Sequence, residues 1–329
     1  MDLGAILLDA IRVAVSAQAA GYAVAAVGLN LHFGYTGLLN FGHVGFFLAG
    51  AYGAAITVDM GGSLWAGIGV GLAVAVALGL LLGLPTLRLR ADYLAIVTIA
   101  AAEILRLATR SNAARPLTNG VFGIKSVAGD FYAVNPIPPG TYGVGGLVFS
   151  QRSMWVIVAG WVLAVVCTLL LRALVRSPWG RVVRAIREDE DAARSLGKNT
   201  FAYKLQSLVL GGVFGALAGV VLMVNQQSVA PDSYVPVVTF FTYAILILGG
   251  PGTVFGPLVG SMLFWFLIQV TESFLRQATT TGLIPEALVG TQDVAALRFA
   301  LVGLGLMVLM AFRPQGIFGK REELLLDAR

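Results

Sequence analysis

The feature that most constrains the fold of this chain is a series of long apolar runs separated by short polar segments. A helix that crosses a lipid bilayer needs about 20 consecutive apolar residues. Nine stretches approach this length: residues 8–31, 38–58, 64–84, 92–109, 153–174, 205–225, 236–249, 254–272 and 294–312. Hydrophobic residues make up 57% of the 329 residues and charged residues 12%, a composition that a soluble domain could not bury. The sequence therefore predicts an all-α, polytopic transmembrane helix bundle of about eight to ten spans, organised as a single domain over residues 1–329.

The distribution of Lys and Arg predicts which ends of these helices face the cytosol, because basic residues accumulate in cytoplasmic loops. The segment 175–204 lies within the strongest basic run, so we expect it to be a cytosolic loop. The Gly- and Pro-rich segment 110–152 and a second segment, 273–293, are then external, and the N-terminus lies outside. Further basic residues fall on the cytosolic side by the same count: Arg88, Arg90, Arg313, Lys320 and Arg321.

Charge and cysteine content exclude several classes of function. The net charge of +5 is accounted for by the loop bias, so we expect no nucleic-acid partner. Cys167 is the single cysteine, which rules out an intramolecular disulfide and a cysteine metal site. We expect no metal site at the two histidines either, since no carboxylate or cysteine is close to them in sequence. The chain also has no GxxxxGK[ST] phosphate-binding loop.

Two glycine-rich stretches interrupt the apolar pattern, although glycine weakens a helix interior by about 1 kcal/mol relative to alanine. The first is GYTGLLNFGHVGF, residues 34–46, and the second is LGGPGTVFGPLVGS, residues 248–261. Both precede a long apolar run, which is consistent with broken or re-entrant helices and with an internal pseudo-repeat. The pattern leaves open whether the first stretch is a close-packed turn or a discontinuous helix along a solute route.

Polar residues in and beside the apolar runs are candidates for a translocation path. Glu103 falls well inside the span that begins near residue 92, where an ionised group must be paired or hydrated. It either forms a local ion pair with Arg106 or faces an aqueous path. The remaining candidates either form structural hydrogen bonds or contact the path: Asn40, His43, Thr242, Gly250 and Gly252. Asn30 and His32 are weaker candidates of the same kind.

The segment SPWGRVVRAIREDEDAARSLG, residues 177–197, has the pattern of a short amphipathic helix at the membrane surface. Ser177 and Pro178 are typical of a helix start, and Gly197 of a helix end. The apolar residues at helical spacing between Gly180 and Leu196 are Val182, Val183, Ile186, Ala193 and Leu196. The segment is either a solvated connector or a docking helix for a cytosolic protein, since a helix this short needs lipid or a partner to cover its apolar face.

Within this segment, Asp191-Ala192-Ala193-Arg194-Ser195-Leu196-Gly197 resembles the coupling motif of ABC-importer permeases, with Asp in place of the usual Glu. Further segments are similar to the permeases of branched-chain amino-acid uptake systems and occur in that family's order. They are GYTGLLNFGHVGFFLAGAY, LRLRADYLAIVTIAAAEILRL, WGRVVRAIREDEDAARSLG, LGGPGTVFGPLVGS and RPQGIFG. The acidic run Arg-Glu-Asp-Glu and the extended 110–150 loop resemble the larger of the two homologous permeases of such a system.

The resemblance implies a transport subunit of the bacterial inner membrane rather than an enzyme. It implies three kinds of partner beyond membrane lipid: a homologous second permease, two cytosolic ATPases, and an external or periplasmic solute-binding protein. ATP and Mg would bind to the ATPases, and this chain would bind no cofactor. The ATPase-coupling residues would be Arg184, Arg187, Glu188, Asp191, Ala192, Ala193 and Gly197.

The resemblance implies branched-chain or related amino acids as the solute, and a urea or short-amide permease of the same type is the alternative. A secondary transporter or channel that works without ATPases is a third interpretation, and the coupling motif argues against it.

Overall fold

Helices form nearly all of the regular structure in the computed structural model, which describes residues 3–87, 91–280, 294–313 and 315–319. The α-helices are α1 Leu3–Ala14, α2 Ala17–Leu29, α3 His43–Asp59, α4 Leu64–Thr86, α5 Ala91–Arg110, α6 Arg115–Thr118, α7 Gly129–Ala133, α8 Gln151–Arg176, α9 Pro178–Glu188, α10 Glu190–Ser195, α11 Thr200–Gln226, α12 Val237–Gly249, α13 Gly256–Thr280 and α14 Val294–Phe312. A π-helix, Asn30–Tyr35, continues α2, and two 3-10 turns occupy Gly120–Phe122 and Pro231–Ser233. The strands are β1 Ile124–Lys125, β2 Thr141–Val144, β3 Leu147–Ser150 and β4 Ser228–Val229.

The helical bundle confirms the predicted fold class, but the count of spans differs. Among the described residues, five helices are long and apolar enough to cross a membrane, or six if one bent pair is a single span. This is fewer than the expected eight to ten. The difference arises because α3 has only 17 residues, because α5 carries Asp92, Glu103, Arg106 and Arg110, and because the apolar stretch of α14, Ala296–Phe312, is also too short. The basic positions Arg88, Arg90, Lys320 and Arg321, and residues 281–293 of the second external segment, lie outside the described residues.

The prediction of one continuous helix over residues 8–31 is wrong. The chain bends by 48° between α1 and the helix that starts at Ala17. Ser16 causes the break, because its backbone is extended and its hydroxyl accepts a hydrogen bond from the N–H of Ala19 at 3.3 Å. A serine in this position caps a new helix and ends the preceding one.

Helix α11 is the centre of the bundle and packs against α2, α3 and α4. Its most apolar 18-residue window is 72% buried, whereas the corresponding windows of α4 and α8 are 33% buried. Gly50 of α3 shows why small residues are needed here, since an added Cβ would lie 2.2 Å from the carbonyl oxygen of Ala216. Such close backbone contacts are typical of helix packing in membranes.

The segment 110–152 contains regular structure that the sequence interpretation treated only as a loop. Strands β2 and β3 form an antiparallel hairpin with Val144 opposite Leu147, and β1 pairs with β4. The turn of the hairpin is Gly145-Gly146, a dipeptide suited to a two-residue connection. The guanidinium of Arg12 donates to the carbonyl of Val148, so α1 lies at the same end of the bundle as this segment. The basic segment 175–204 lies at the opposite end, where α2 and its π-helix finish.

Candidate functional site where the basic segment meets the glycine breaks

The predicted amphipathic helix at Gly180–Leu196 is two helices, α9 and α10, rather than one. Ser177 caps α9 by accepting a hydrogen bond from Gly180 N–H, and Pro178 occupies its first turn. Asp189 separates the two helices because its backbone is extended, with φ −154°, and its carboxylate accepts from Ala192 N–H at 2.9 Å. Gly197, with φ +74°, follows the end of α10, as its sequence position predicts.

Burial divides the residues of α9 and α10 into an inner and an outer face. Val183, Ile186 and Ala193 are buried against the bundle. Leu196 was expected on the same apolar face, but it is 79% exposed; it lies after the helix break at Asp189, so the spacing of one continuous helix does not extend to it. Six of the seven predicted coupling residues are exposed, and Ala193 is the exception; the exposed ones are Arg184, Arg187, Glu188, Asp191, Ala192 and Gly197. Glu188 and the exposed residues of α10 form an outer face that is open to a partner.

Two arginines of α9 attach this helix to the end of the π-helix. The guanidinium of Arg187 donates to the carbonyl of Gly34, one of the last carbonyls of a helix and therefore without an intrahelical donor. Arg184 donates to Val175 O at 2.6 Å, and its guanidinium lies 5.7 Å from the ring centroid of Tyr35. A cation suits this position, because the C-terminal end of a helix carries partial negative charge.

Glu190 anchors the start of α10 to α11. Its carboxylate accepts from the ammonium of Lys204 and, at 3.1 Å, from the guanidinium of Arg194. Burial acts to raise the pKa of Glu190, but the hydrogen bond and charge of Lys204 outweigh it, so the pKa lies below its usual value. The sequence interpretation missed Lys204 as a partner, since the two residues are 14 positions apart with a helix break between them.

The first glycine break, residues 34–46, consists of the end of the π-helix, a short irregular segment and the first turn of α3. Gly37 has φ +73°, a conformation that favours glycine. Position 34 has no room for a side chain, because an added Cβ would lie 1.9 Å from Oδ1 of Asn30 and 2.5 Å from the nitrogen of Gly252. The stretch is thus a close-packed join between two helices.

Asn30 joins the two glycine breaks directly. Its Nδ2 donates to Thr253 O at 2.7 Å, and its Oδ1 accepts from Gly252 N–H at 2.8 Å. Gly250 and Gly252 both have positive φ, +104° and +77°, so the segment after α12 is a true backbone break. Residues Ile317 and Phe318 close it from the other side by donating to Leu248 O and Gly249 O at 3.1 and 3.2 Å. The arrangement satisfies backbone groups that the break would leave without partners.

Three of the predicted path residues, Asn40, His43 and Thr242, are fully buried. Asn40 bonds to Nδ1 of His32 at 3.2 Å and accepts from Gly42 N–H. His43 Nε2 lies 3.1 Å from Ala25 O, while Nδ1 has no hydrogen-bond partner among the described residues. Thr242 bonds within its own helix, to Val238 O. These side chains therefore lie within the packed bundle near the breaks.

Glu103 lies apart from the other candidates and is paired. Its carboxylate receives two hydrogen bonds from Arg106, at 2.5 and 2.9 Å. Arg106 and Arg110 both contact Asp232 at 3.1 Å, which fixes α5 to the turn before α12. The local ion pair considered from the sequence is thus present, and Asp232 extends it.

The chain is similar in sequence to permease proteins of transport systems. A family model described as "Branched-chain amino acid transport system / permease component" matches residues 11–311. Two relatives named high-affinity branched-chain amino acid transport system permease protein LivM, from Salmonella typhimurium and Escherichia coli, are each 31% identical, with 90% of this chain and 67% of the relative covered. The corresponding protein BraD of Pseudomonas aeruginosa is 26% identical, with 92% of both chains covered.

Proposed function

The chain belongs to the permease component family of branched-chain amino acid transport systems, and we propose that it forms the translocation path of an ATP-driven importer in the bacterial inner membrane. Its family identifies it as a transport subunit, and its long apolar helices identify it as a multi-pass membrane protein. The observation that carries the proposed coupling is the contact between Arg187 of α9 and Gly34 of the first break. Through Asn30, that break is bonded to the second one.

The proposed partners follow from the exposed face of α9 and α10 and from the family. Two ATPases bind at the cytosolic end, one of them against the exposed face that includes Glu188, Asp191 and Leu196. A homologous second permease completes the path, and an external binding protein delivers the solute to the end that carries segment 110–152. ATP and Mg bind to the ATPases, and this chain requires no cofactor.

The proposed path passes the two breaks. Asn40, His43, Thr242, Gly250 and Gly252 lie at or near them in a closed arrangement. Opening of this region would expose Nδ1 of His43, an acceptor suited to the ammonium group of an amino acid. Glu103 lies at the external end of α5, where its carboxylate, shared with Arg106, can attract the same group.

We propose branched-chain or related amino acids as solutes because two relatives that carry this name are 31% identical to the chain. A urea or short-amide importer is the alternative within the same mechanism. A transporter independent of ATPases is disfavoured by the coupling motif at Asp191–Gly197 and by the family.

The test is uptake by proteoliposomes that contain the complete complex and its binding protein. We expect uptake of labelled leucine to require ATP on the side of the membrane that carries segment 175–204. We also expect the uptake of labelled leucine to exceed the uptake of labelled urea. If the chain purifies without an ATPase and still moves leucine, the importer assignment is wrong. If ATP drives urea but not leucine, only the solute assignment is wrong.

A further inference from the structure

A groove of about 310 Å³ lies between α4, α8 and α11, away from the glycine breaks. Its lining is hydrocarbon, aromatic or glycine throughout, with Trp65, Phe131, Val156, Leu163 and Val221 among the residues that form it. We propose that this groove holds an acyl chain of a membrane phospholipid and that Arg152, at its rim, binds the phosphate of that lipid.

The depth of the groove fits one leaflet of the bilayer. It contacts α8 from Val156 to Leu163, which is about 10 Å of helix, against about 15 Å for half of the hydrocarbon core. It begins at the end of the bundle that carries segment 110–152. The flanks of the groove are membrane-facing as well, because Val158 and Val162 of α8 and Val74 of α4 are exposed by 40 to 58%.

The apolar lining of the groove suits a hydrocarbon chain. The groove encloses about 310 Å³, and its aliphatic and aromatic walls offer dispersion contacts to methylene groups. Because lipid tails are as apolar as this lining, these contacts and the charge at the rim, rather than removal from water, favour a bound lipid.

Helix α7 closes the external end of the groove and is fixed in place. The ring of Phe131 stacks on Trp155 with centroids 5.3 Å apart, and the indole N–H of Trp155 donates to Phe131 O at 3.0 Å. The hydroxyl of Tyr132 donates to Val224 O at 3.2 Å, and Val224 itself lines the groove. The groove is thus a formed cavity with a held roof rather than a gap between loose helices.

Arg152 places a positive charge at the rim, where a lipid phosphate would lie. It is exposed and precedes Val156 by one helical turn, so both residues are on the same face of α8. Its guanidinium lies 5.8 Å from the ring centroid of Tyr132, beside the roof residue Phe131. Asp130 is also at this rim, but its carboxylate accepts from Leu64 N–H at 2.8 Å and caps α4, where the helix dipole favours a negative charge.

The test uses the purified full-length protein, stripped of lipid in detergent and titrated with dioleoyl phosphatidylglycerol or with dioleoylglycerol, which lacks the phosphate. Bound lipid is counted by native mass spectrometry. Ala159→Trp fills the groove from a half-buried lining position, and Val162→Trp on the same helix, 58% exposed and outside the lining, is the matched control. Arg152→Gln removes the charge while retaining the apolar lining.

We expect the unchanged protein and Val162→Trp to retain one phosphatidylglycerol more tightly than dioleoylglycerol. Ala159→Trp should weaken retention about tenfold, because the indole would occupy the space of the acyl chain. Arg152→Gln should abolish the preference for the phosphate-bearing lipid. Equal retention by Ala159→Trp and Val162→Trp would overturn the groove assignment, as would a photo-crosslinker at Ala159 that captures polypeptide instead of lipid in native membranes. An unaltered preference in Arg152→Gln would overturn the phosphate assignment.

Discussion

At the scale of single residues, the least replaceable positions are those where the backbones of the two breaks approach each other. Gly34 leaves no room for a side chain, and Asn30 fills the space beside it with an amide whose oxygen and nitrogen are both hydrogen-bonded to the second break. The glycine content of residues 34–46 indicated an unusual backbone, but the importance of Asn30 could not be predicted. Its partners are 222 and 223 positions away, and a polar residue in an apolar run carries no signal about the segment it contacts.

Replacing Gly34 with alanine should destabilise the protein through crowding. The new Cβ would meet Oδ1 of Asn30 at 1.9 Å, so either the Asn30 contacts or the break must shift, at a cost of about 1–3 kcal/mol. Gly69→Ala is the control, because nothing lies within 4 Å of its added Cβ in α4, and alanine favours a helix. Thermal unfolding in detergent should show a lower Tm for Gly34→Ala only. Equal Tm values for the two variants would contradict the close approach.

At the scale of elements, α9 and α10 show where a sequence pattern is informative and where it is not. Helical spacing placed Val183, Ile186 and Ala193 on one apolar face, and the structure buries all three. That this face packs against the bundle of the same chain was not predicted. The break at Asp189 was not predicted, because an aspartate inside an acidic run can either continue a helix or cap a new one. Only the packing of α10 beside Lys204 of α11 decides between these outcomes.

The pair formed by Glu190 and Lys204 predicts a pH-dependent contribution to stability. Since the folded-state pKa of Glu190 is lowered, the contribution is present above the unfolded value of about 4.3 and is lost as pH falls through the folded value. Its size is below about 1 kcal/mol, because the carboxylate is partly screened by solvent. Glu190→Gln should therefore lower the Tm at pH 7, and the deficit should be smaller at about pH 3.

Asp191→Asn is the control for this measurement, since the side chain of Asp191 is 90% exposed and an exposed ion pair contributes little. Its Tm should follow that of the unchanged protein at both pH values. A Glu190→Gln deficit that persists unchanged in acid would show that the carboxylate charge is not the cause.

At the scale of the whole molecule, composition was sufficient to predict a helical membrane protein, and long apolar runs located α4, α8 and α11 to within a few residues. The bend at Ser16 and the pairing of β1 with β4 were missed for different reasons. The Ser16 cap is a local contact, but a serine in an apolar run can lie inside a helix as well as cap one. The strands β1 and β4 lie more than 100 positions apart, and no local pattern indicates such a pairing. The orientation in the membrane rests on the positive-inside bias and remains a prediction.

Cysteine labelling tests this orientation. Cys167 is buried, so a Cys167→Ala background removes the one native thiol at little cost. Ser195→Cys in α10 and Ala113→Cys after α5 both replace exposed residues. A membrane-impermeant maleimide should label Ala113→Cys in right-side-out vesicles and Ser195→Cys only in inside-out vesicles. The opposite pattern would invert the proposed topology.

The most direct test of the central proposal is ATP-driven leucine uptake by the reconstituted complex carrying Arg187→Gln. This change removes the charge that contacts Gly34 and leaves the outer face of α10 unaltered, so the ATPases should still copurify. A charged hydrogen bond contributes about 1.5–3 kcal/mol, so uptake by the Arg187→Gln complex should fall about tenfold or more. Arg181→Gln is the control, because Arg181 is exposed on the same helix, and it should retain the uptake rate. Gly197→Ala, which strains a residue at φ +74°, should also impair uptake. Unchanged uptake in both Arg187→Gln and Gly197→Ala would contradict the proposal that α9 and α10 couple ATP hydrolysis to the breaks.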